Sequence, residues 1–337
     1  MNTATTASSI AVIGTGSWGT ALAIQLARAG QQPSIWGIEA DVMAEMSSAR
    51  RNSRYLPEIE LPEAVQVCDD LHDVLNTHSD LLLCVPSHAL REVLERIGND
   101  ISDGSRVAWA TKGFEMTTGM LPHEVAQSVL GEQIPLAVLS GPTFASEVGQ
   151  GLPTAMTVAA TDAAFAEQLA EQLSDRSFRA YTSGDMIGVE VGGAVKNVLA
   201  IATGFSDGLG FGANTRVALI TRGLAEMTRL GVALGASADT FMGLSGMGDL
   251  VLTCTDNQSR NRRMGLALAA GKSIAQASKE IQQVVEGVNA AKSVRAVAAR
   301  EGVEMPICEQ VYRTLYEDSP PDEAVRNLMG RALKPES

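Results

Sequence analysis

The chain has 337 residues, enough for two domains with a sizeable core. Its 39 acidic and 26 basic residues give a formal charge of -13, which argues against nucleic acid or an anionic membrane surface as the main partner. Four scattered cysteines and four scattered histidines show no metal-ligand spacing, so no metal site is expected and the thiols read as reduced, as in a cytoplasmic protein.

Residues 1–9 lack a basic segment followed by an apolar core and read as a short polar tail. Residues 10–13 form a β-branched run that enters Gly14-Thr-Gly-Ser-Trp-Gly19, and residues 20–30 continue with helical periodicity through Leu22, Ala23, Leu26 and Ala27. Strand, GxGxxG and helix in succession point to a dinucleotide site rather than a bare glycine turn. Gly14 allows the tight turn, Gly16 lets backbone approach a pyrophosphate, and Gly19 lets helix and strand pack closely. Residues 33–38 form the second strand. Glu39 follows about twenty residues beyond Gly19, where a carboxylate accepts from the ribose 2′-hydroxyl of NAD and repels the 2′-phosphate of NADP. No arginine stands beside it in sequence, though Arg50, Arg51 and Arg54 could reach. The cofactor is therefore NAD or NADP, leaning to NAD, and a solvated strand-end glutamate is the plainer alternative.

Strands are expected at residues 65–68, 80–85, 105–110, 135–139, 154–160 and 178–182, with helices at 91–97, 121–130 and 163–173. This alternation describes a Rossmann-like, mostly parallel α/β sheet domain over residues 1–185. Ligands of such sheets bind outside the carboxyl ends of the strands. Lys112 lies there as a possible cation, or as an ordinary loop lysine. Gly141 and Thr143 lie there too, in Ser140-Gly-Pro-Thr-Phe-Ala145, able to offer a backbone amide and a hydroxyl.

Beyond residue 185 the strand signal stops. Helices are expected at residues 189–206, 213–234, 262–270, 273–281, 288–301, 307–316 and 321–328, giving an all-helical C-terminal domain over residues 186–337. Its first helix carries Lys196 among small apolar residues, in Gly188-Val-Glu-Val-Gly-Gly-Ala-Val-Lys-Asn197. A desolvated lysine there either snorkels or pairs, with Glu190 for example, or it has a chemical task. Residues 243–250 are glycine-rich enough to read as a loop and carry Asp249. Ser259 reads as the N-cap of a helix whose first turn holds Arg260 and Asn261, suited either to a phosphate or to a merely capped helix. Glu286 precedes another helix as a dipole charge or a ribose contact. Burial and Lys112 would lower the pKa of Lys196, and Asp249 would hold it charged. The Arg260-Asn261 turn suggests a small phosphorylated substrate.

Taken together these residues resemble the bacterial-type NAD(P)-dependent glycerol-3-phosphate dehydrogenase family. The resemblance runs from Gly14 to the C-terminal helices through Gly14-Thr-Gly-Ser-Trp-Gly-Thr-Ala21, Asn52-Ser-Arg-Tyr-Leu-Pro57, Ala110-Thr-Lys-Gly113, Ser140-Gly-Pro-Thr-Phe-Ala145, the Lys196 motif, Asn214-Thr-Arg216, Gly246-Met-Gly-Asp249 and Ser259-Arg-Asn261. It implies reversible reduction of dihydroxyacetone phosphate to sn-glycerol 3-phosphate for phospholipid synthesis, in a homodimer. Lys196 matches the family's proton-exchanging lysine, and Lys112 the lysine touching substrate and cofactor. Gly141, Thr143, Asp249, Ser259, Arg260 and Asn261 match substrate contacts; Ser17, Trp18, Ala145, Arg260, Val284 and Glu286 match cofactor contacts. Where many members carry a basic residue after the second strand, this chain has Ile38 and Glu39. Two other classes remain. One is a β-hydroxyacid or 6-phosphogluconate type dehydrogenase of the same architecture; the other is a non-catalytic nucleotide-binding module.

Overall fold

The apolar runs of the first half become the strands of one sheet. The computed structural model describes residues 10–102 and 104–330, so the expected polar tail at residues 1–9 lies outside the described residues. In chain order the first half comprises β1 (Ile10–Ile13), α1 (Ser17–Arg28), β2 (Ser34–Trp36), α2 (Ala40–Ala49), β3 (Arg51–Asn52), β4 (Leu56–Glu60), β5 (Gln66–Val67), α3 (Leu71–Thr77) and β6 (Asp80–Leu83). There follow α4 (Leu90–Gly98), β7 (Arg106–Trp109), α5 (Pro122–Leu130), β8 (Leu136–Ser140), α6 (Ala145–Gln150), β9 (Thr154–Ala160), α7 (Ala163–Leu173) and β10 (Phe178–Ser183).

Eight strands run in the order β10-β9-β8-β7-β6-β1-β2-β5, and β3 and β4 form a separate hairpin. Neighbours in the large sheet are parallel except β8 and β9. The order reverses between β1 and β6, the switch point at which open α/β sheets form a crevice beyond the strand ends. β1, β6 and β8 are buried throughout, as central strands covered on both faces must be. Asp80 opens β6 inside this apolar layer, and a charge there needs a partner. Arg106 on β7 supplies it, with Nε and Nη2 donating to the two carboxylate oxygens at 2.7 and 2.6 Å.

The second half is helical: α8 (Met186–Gly208), α9 (Ala213–Ala233), α10 (Asp249–Thr255), α11 (Arg260–Ala269), α12 (Ile274–Ile281), α13 (Glu286–Arg300), α14 (Pro306–Tyr316) and α15 (Pro321–Met329). Two compact units result. The first holds the described residues to Lys112 and Pro122–Val189; the second holds Gly113–Leu121 and the described residues from Glu190 on. α8 is long and apolar enough to cross a membrane by composition, yet it is almost wholly buried inside the protein. It packs against α11 with backbones in contact, since a Cβ on Gly204 would lie 2.2 Å from the Arg262 carbonyl oxygen.

Sequence and structure differ in instructive places. α1 begins at Ser17, three residues before the expected start, so the glycine motif is partly helix. The glycine-rich stretch expected as a loop at 243–250 is helical instead: a π-helical turn (Leu244–Gly248) leads directly into α10. Gly246 serves contact rather than turning. A Cβ on Gly246 would sit 2.3 to 2.6 Å from backbone atoms of Phe241.

One buried group of the helical unit makes stability pH-dependent. Glu226 on α9 is 3% exposed, and its carboxylate accepts from the N–H groups of Ile307 and Cys308 at 2.7 and 3.2 Å, capping the start of α14. Burial pushes its carboxyl up to about 7 against an ordinary 4.5; the two N–H donors and Arg229 pull the other way, and the Cys308 thiol also faces it. The folded state thus keeps a proton that the unfolded state has released between those values. This contribution to stability is full below about 4.5 and is lost as pH rises through about 7, on the order of 3 kcal/mol. Urea midpoints should fall between pH 5 and 8, and Glu226→Gln should flatten that fall; an unchanged slope in the variant would show that another group is responsible.

Candidate active site

The glycine motif forms a built cradle. Gly14 has φ +121°, and a Cβ there would lie 2.5 Å from the Cys84 carbonyl oxygen at the end of β6. A Cβ on Gly19 would lie 2.0 Å from the Gly14 carbonyl oxygen, so helix and turn touch. Gly16 is different: nothing lies within 4 Å of its Cβ position, and as N-cap of α1 it offers no side-chain acceptor to the first N–H groups. The first turn of α1, with Ser17 and Trp18, carries no acidic side chain. Open space before uncapped N–H groups, free of negative charge, fits a pyrophosphate.

Glu39 follows β2 and is the N-cap residue of α2, but its carboxylate caps nothing there. It accepts from Arg54 Nη1 at 2.9 Å and from the Tyr55 hydroxyl at 3.0 Å. Of the three arginines that follow in sequence, Arg54 therefore reaches Glu39. Arg51 pairs with Glu60, and Arg50 bonds the carbonyls of Pro62 and Val65. Lys112 lies just past β7 and is half-buried, and neighbouring Thr111 ties the strand ends together by donating to the Val85 carbonyl at 2.7 Å. Gly141 lies just beyond β8 against Met156, where a Cβ would be 2.8 Å from Cα. The Thr143 hydroxyl donates back to the Gly141 carbonyl at 3.2 Å, and Ala145 opens α6. All these residues belong to the first unit.

In the second unit Lys196 is 7% exposed and Asp249 1%. The Lys196 ammonium donates to Asp249 Oδ1 and, at 3.1 Å, to the Thr253 hydroxyl oxygen. The Thr253 hydroxyl itself donates to the Asp249 carbonyl at 2.6 Å. The next residue, Cys254, is fully buried, and burial pushes its thiol up to about 12, so it stays neutral beside the pair. A buried ammonium that donates to a carboxylate and a hydroxyl is held in place by charge-assisted hydrogen bonds.

Ser259 caps α11 by accepting from the Arg262 N–H at 3.2 Å. Arg260 is half-buried with no hydrogen-bond or ion-pair partner among the described residues. Arg263, one turn on, is also half-buried; burial, then the Arg260 charge, lowers its pKa from the ordinary arginine value. Two adjacent cations at a helix start form a locally basic spot in an acidic protein, as an anionic ligand requires. Asn261 does something else. Its side-chain amide donates to Asn197 Oδ1 at 2.8 Å, and its carbonyl accepts from the Gly287 N–H at 2.8 Å. Asn197 in turn donates to Glu286 Oε2 at 3.4 Å. Helix α8, which carries Lys196, the capped start of α11 and the start of α13 are thus joined by one chain of side-chain hydrogen bonds. Val284, expected near a cofactor, is 44% exposed just before α13.

Residues 9–166 match the N-terminus of NAD-dependent glycerol-3-phosphate dehydrogenase, and residues 185–326 match its C-terminus. The chain belongs to that family. It is 54% identical over its whole length, and the whole length of the relative, to a glycerol-3-phosphate dehydrogenase [NAD(P)+] of Pseudoalteromonas translucida. It is 55% identical to one of Aeromonas hydrophila over 97% of this chain and 98% of the relative. A crystal structure of glycerol-3-phosphate dehydrogenase from Coxiella burnetii is 49% identical, with a TM-score of 0.93 over 96% of this chain and 99% of that one. As a family member the chain is an NAD(P)-dependent dehydrogenase with a Rossmann-like sheet and a helical C-terminal part.

Two residues of this dehydrogenase escaped the sequence reading. Thr253 is legible only as the residue four after Asp249 on a helix, and the stretch that holds Asp249, residues 243–250, reads as a loop. Asn197 stood beside Lys196 in the motif, but nothing local marks its link to Asn261 and Glu286.

Proposed function

We propose that this chain reversibly reduces dihydroxyacetone phosphate to sn-glycerol 3-phosphate with NADH or NADPH, supplying glycerol 3-phosphate for phospholipid synthesis in the cytoplasm. The observation that carries this reading is the buried Lys196 ammonium, held by Asp249 and Thr253 in a chain of this family. Residues 1–185 serve the dinucleotide through the Gly14–Gly19 turn, Glu39 and Ala145. Residues 186–337 serve the substrate and the chemistry, with Val284 and Glu286 assisting the cofactor. The dinucleotide, when bound, supplies the hydride for the ketone carbon. Lys196 Nζ gives a proton to the oxygen on which charge develops. Asp249 and Thr253 fix where that proton sits, and Lys112 adds positive charge for the same oxygen. Arg260, the Ser259 cap and the first N–H groups of α11, including that of Asn261, hold the phosphate. Gly141 and Thr143 are assigned to the substrate as well, on their match to the family's substrate-contacting positions. That binding energy positions the carbonyl. A homodimer is the assembly that the family resemblance implies.

A steady-state assay with dihydroxyacetone phosphate, run in parallel with NADH and NADPH, tests this reading. Equal turnover of a β-hydroxyacid would favour the sister class, and tight dinucleotide binding without turnover of any ketone phosphate would favour a binding module. Arg260→Ala should raise KM for the phosphorylated ketone by about tenfold to a hundredfold, since a hydrogen bond to a charged group contributes roughly 1.5–3 kcal/mol. An effect confined to dinucleotide binding would contradict its phosphate role.

A further inference from the structure

We infer that Arg54 and Tyr55 are positioning residues that hold Glu39 as a ribose acceptor, so that this chain selects NADH over NADPH; the inference rests on reading the first unit as dinucleotide-binding. Both hydrogen bonds to the Glu39 carboxylate, from Arg54 Nη1 at 2.9 Å and the Tyr55 hydroxyl at 3.0 Å, end on Oε1. Among the described residues Oε2 accepts none, and the side chain is 37% exposed. One oxygen is clamped and the other is left without a hydrogen bond among the described residues, on a side chain that is partly exposed. A ribose diol can donate to that free oxygen without disturbing the clamp.

Arg54 itself is already engaged. Its second terminal nitrogen bonds Asp41, so one guanidinium bridges two carboxylates. Glu39 and Asp41 at -1 each and Arg54 at +1 leave the cluster at -1. A 2′-phosphate, carrying about -1.5 to -2 near neutral pH, meets a negative cluster and an arginine with both ends occupied. A ribose hydroxyl meets a fixed acceptor instead.

The clamp is anchored to the glycine turn. Asn52 is fully buried, and its amide donates to the Thr15 carbonyl and the Thr20 hydroxyl, each at 2.8 Å. Its carbonyl accepts from the Tyr55 N–H at 3.2 Å. Residues 52–55 therefore hang on the turn that would carry the pyrophosphate, and Arg54 and Tyr55 keep their register with it. Exposed ion pairs add little to stability. Here the pair fixes the direction of an acceptor.

The test is equilibrium binding of NADH and NADPH, read by nicotinamide fluorescence without substrate, in wild type, Tyr55→Phe, Arg54→Ala, Glu39→Ala and the double variant Arg54→Ala/Glu39→Ala. Wild type should bind NADH at least tenfold more tightly than NADPH. Tyr55→Phe, which changes no charge, should raise the NADH Kd about twofold to fivefold and leave NADPH within twofold. Arg54→Ala should raise the NADH Kd about threefold to tenfold in the wild-type background and less than twofold once Glu39 is gone, the non-additivity of residues acting through one group. Arg54→Lys should restore part of the loss. If Arg54→Ala instead weakened NADPH by tenfold with NADH unmoved, Arg54 would read the 2′-phosphate directly and the inference would be overturned. Equal effects in both Glu39 backgrounds would overturn it too. A wild type that bound neither dinucleotide would overturn the underlying reading of the first unit instead.

Discussion

Lys196→Met is expected to lower kcat by about 10²- to 10⁴-fold while dinucleotide affinity stays near wild type, the loss typical of removing a positioned acid. Methionine is straight-chained and a good helix former, so α8 itself should tolerate it. The cost falls on Asp249, which is 1% exposed and loses its ammonium partner. A carboxylate stranded in this way costs about 3–5 kcal/mol unless it takes up a proton. The double variant Lys196→Met/Asp249→Leu removes both charges, and apolar replacement of a buried pair is commonly neutral or stabilising. Denaturation should therefore show a weakened single variant and a recovered double variant, with turnover depressed in both. Wild-type kcat in the single variant would remove Lys196 from the chemistry. Recovered stability with recovered turnover would show that the pair is only structural.

How much of this was legible depended on whether a residue's reason was local. The β1-turn-α1 unit was legible because its constraint is written into neighbouring residues: a turn, a close approach and a helix start within Gly14–Gly19. Lys196 stood out because a charge among small apolar residues has a cost that something must offset. Asp249 was named, but its helix was not, because Gly243, Gly246 and Gly248 read as breakers. For Gly246 the reason is close contact with the Phe241 backbone, which no periodicity records. Losing that helix lost Thr253 as well, since residues four apart share a face only on a helix. That Arg54, and not Arg50 or Arg51, is the arginine that reaches Glu39 was not legible, for a related reason. The bond joins residues 15 apart through a hairpin whose strands, of two and five residues, are too short to display alternation. Asn261 was placed correctly in the first turn of α11, yet its partners lie 64 and 26 residues away.

Gly192→Ala should destabilise the protein by roughly 1–3 kcal/mol and depress kcat with it, although residue 192 carries no side chain to do chemistry. On helix propensity alone the sign would be opposite, because alanine is about 1 kcal/mol better than glycine inside a helix such as α8. The deciding contact is tertiary. A Cβ on Gly192 would lie 2.5 Å from the Ser245 carbonyl oxygen and 3.6 Å from the Gly246 Cα. Those atoms are backbone of the π-helical turn, which cannot rotate aside as a flexible side-chain end can. The turn is fixed by a second close approach as well, that of Gly246 to the Phe241 backbone. Gly192 lies one helical turn before Lys196, on the same face. Asp249 begins α10 directly after the turn. Pushing the turn off α8 therefore separates the Asp249 carboxylate from the Lys196 ammonium. Urea denaturation and steady-state kinetics should move together in this variant. Gly184→Ala is the control, since nothing lies within 4 Å of its Cβ position, and it should leave both near wild type. Unchanged or increased stability in Gly192→Ala would mean that the turn yields, and that close backbone approach is not what seats Asp249 on the lysine.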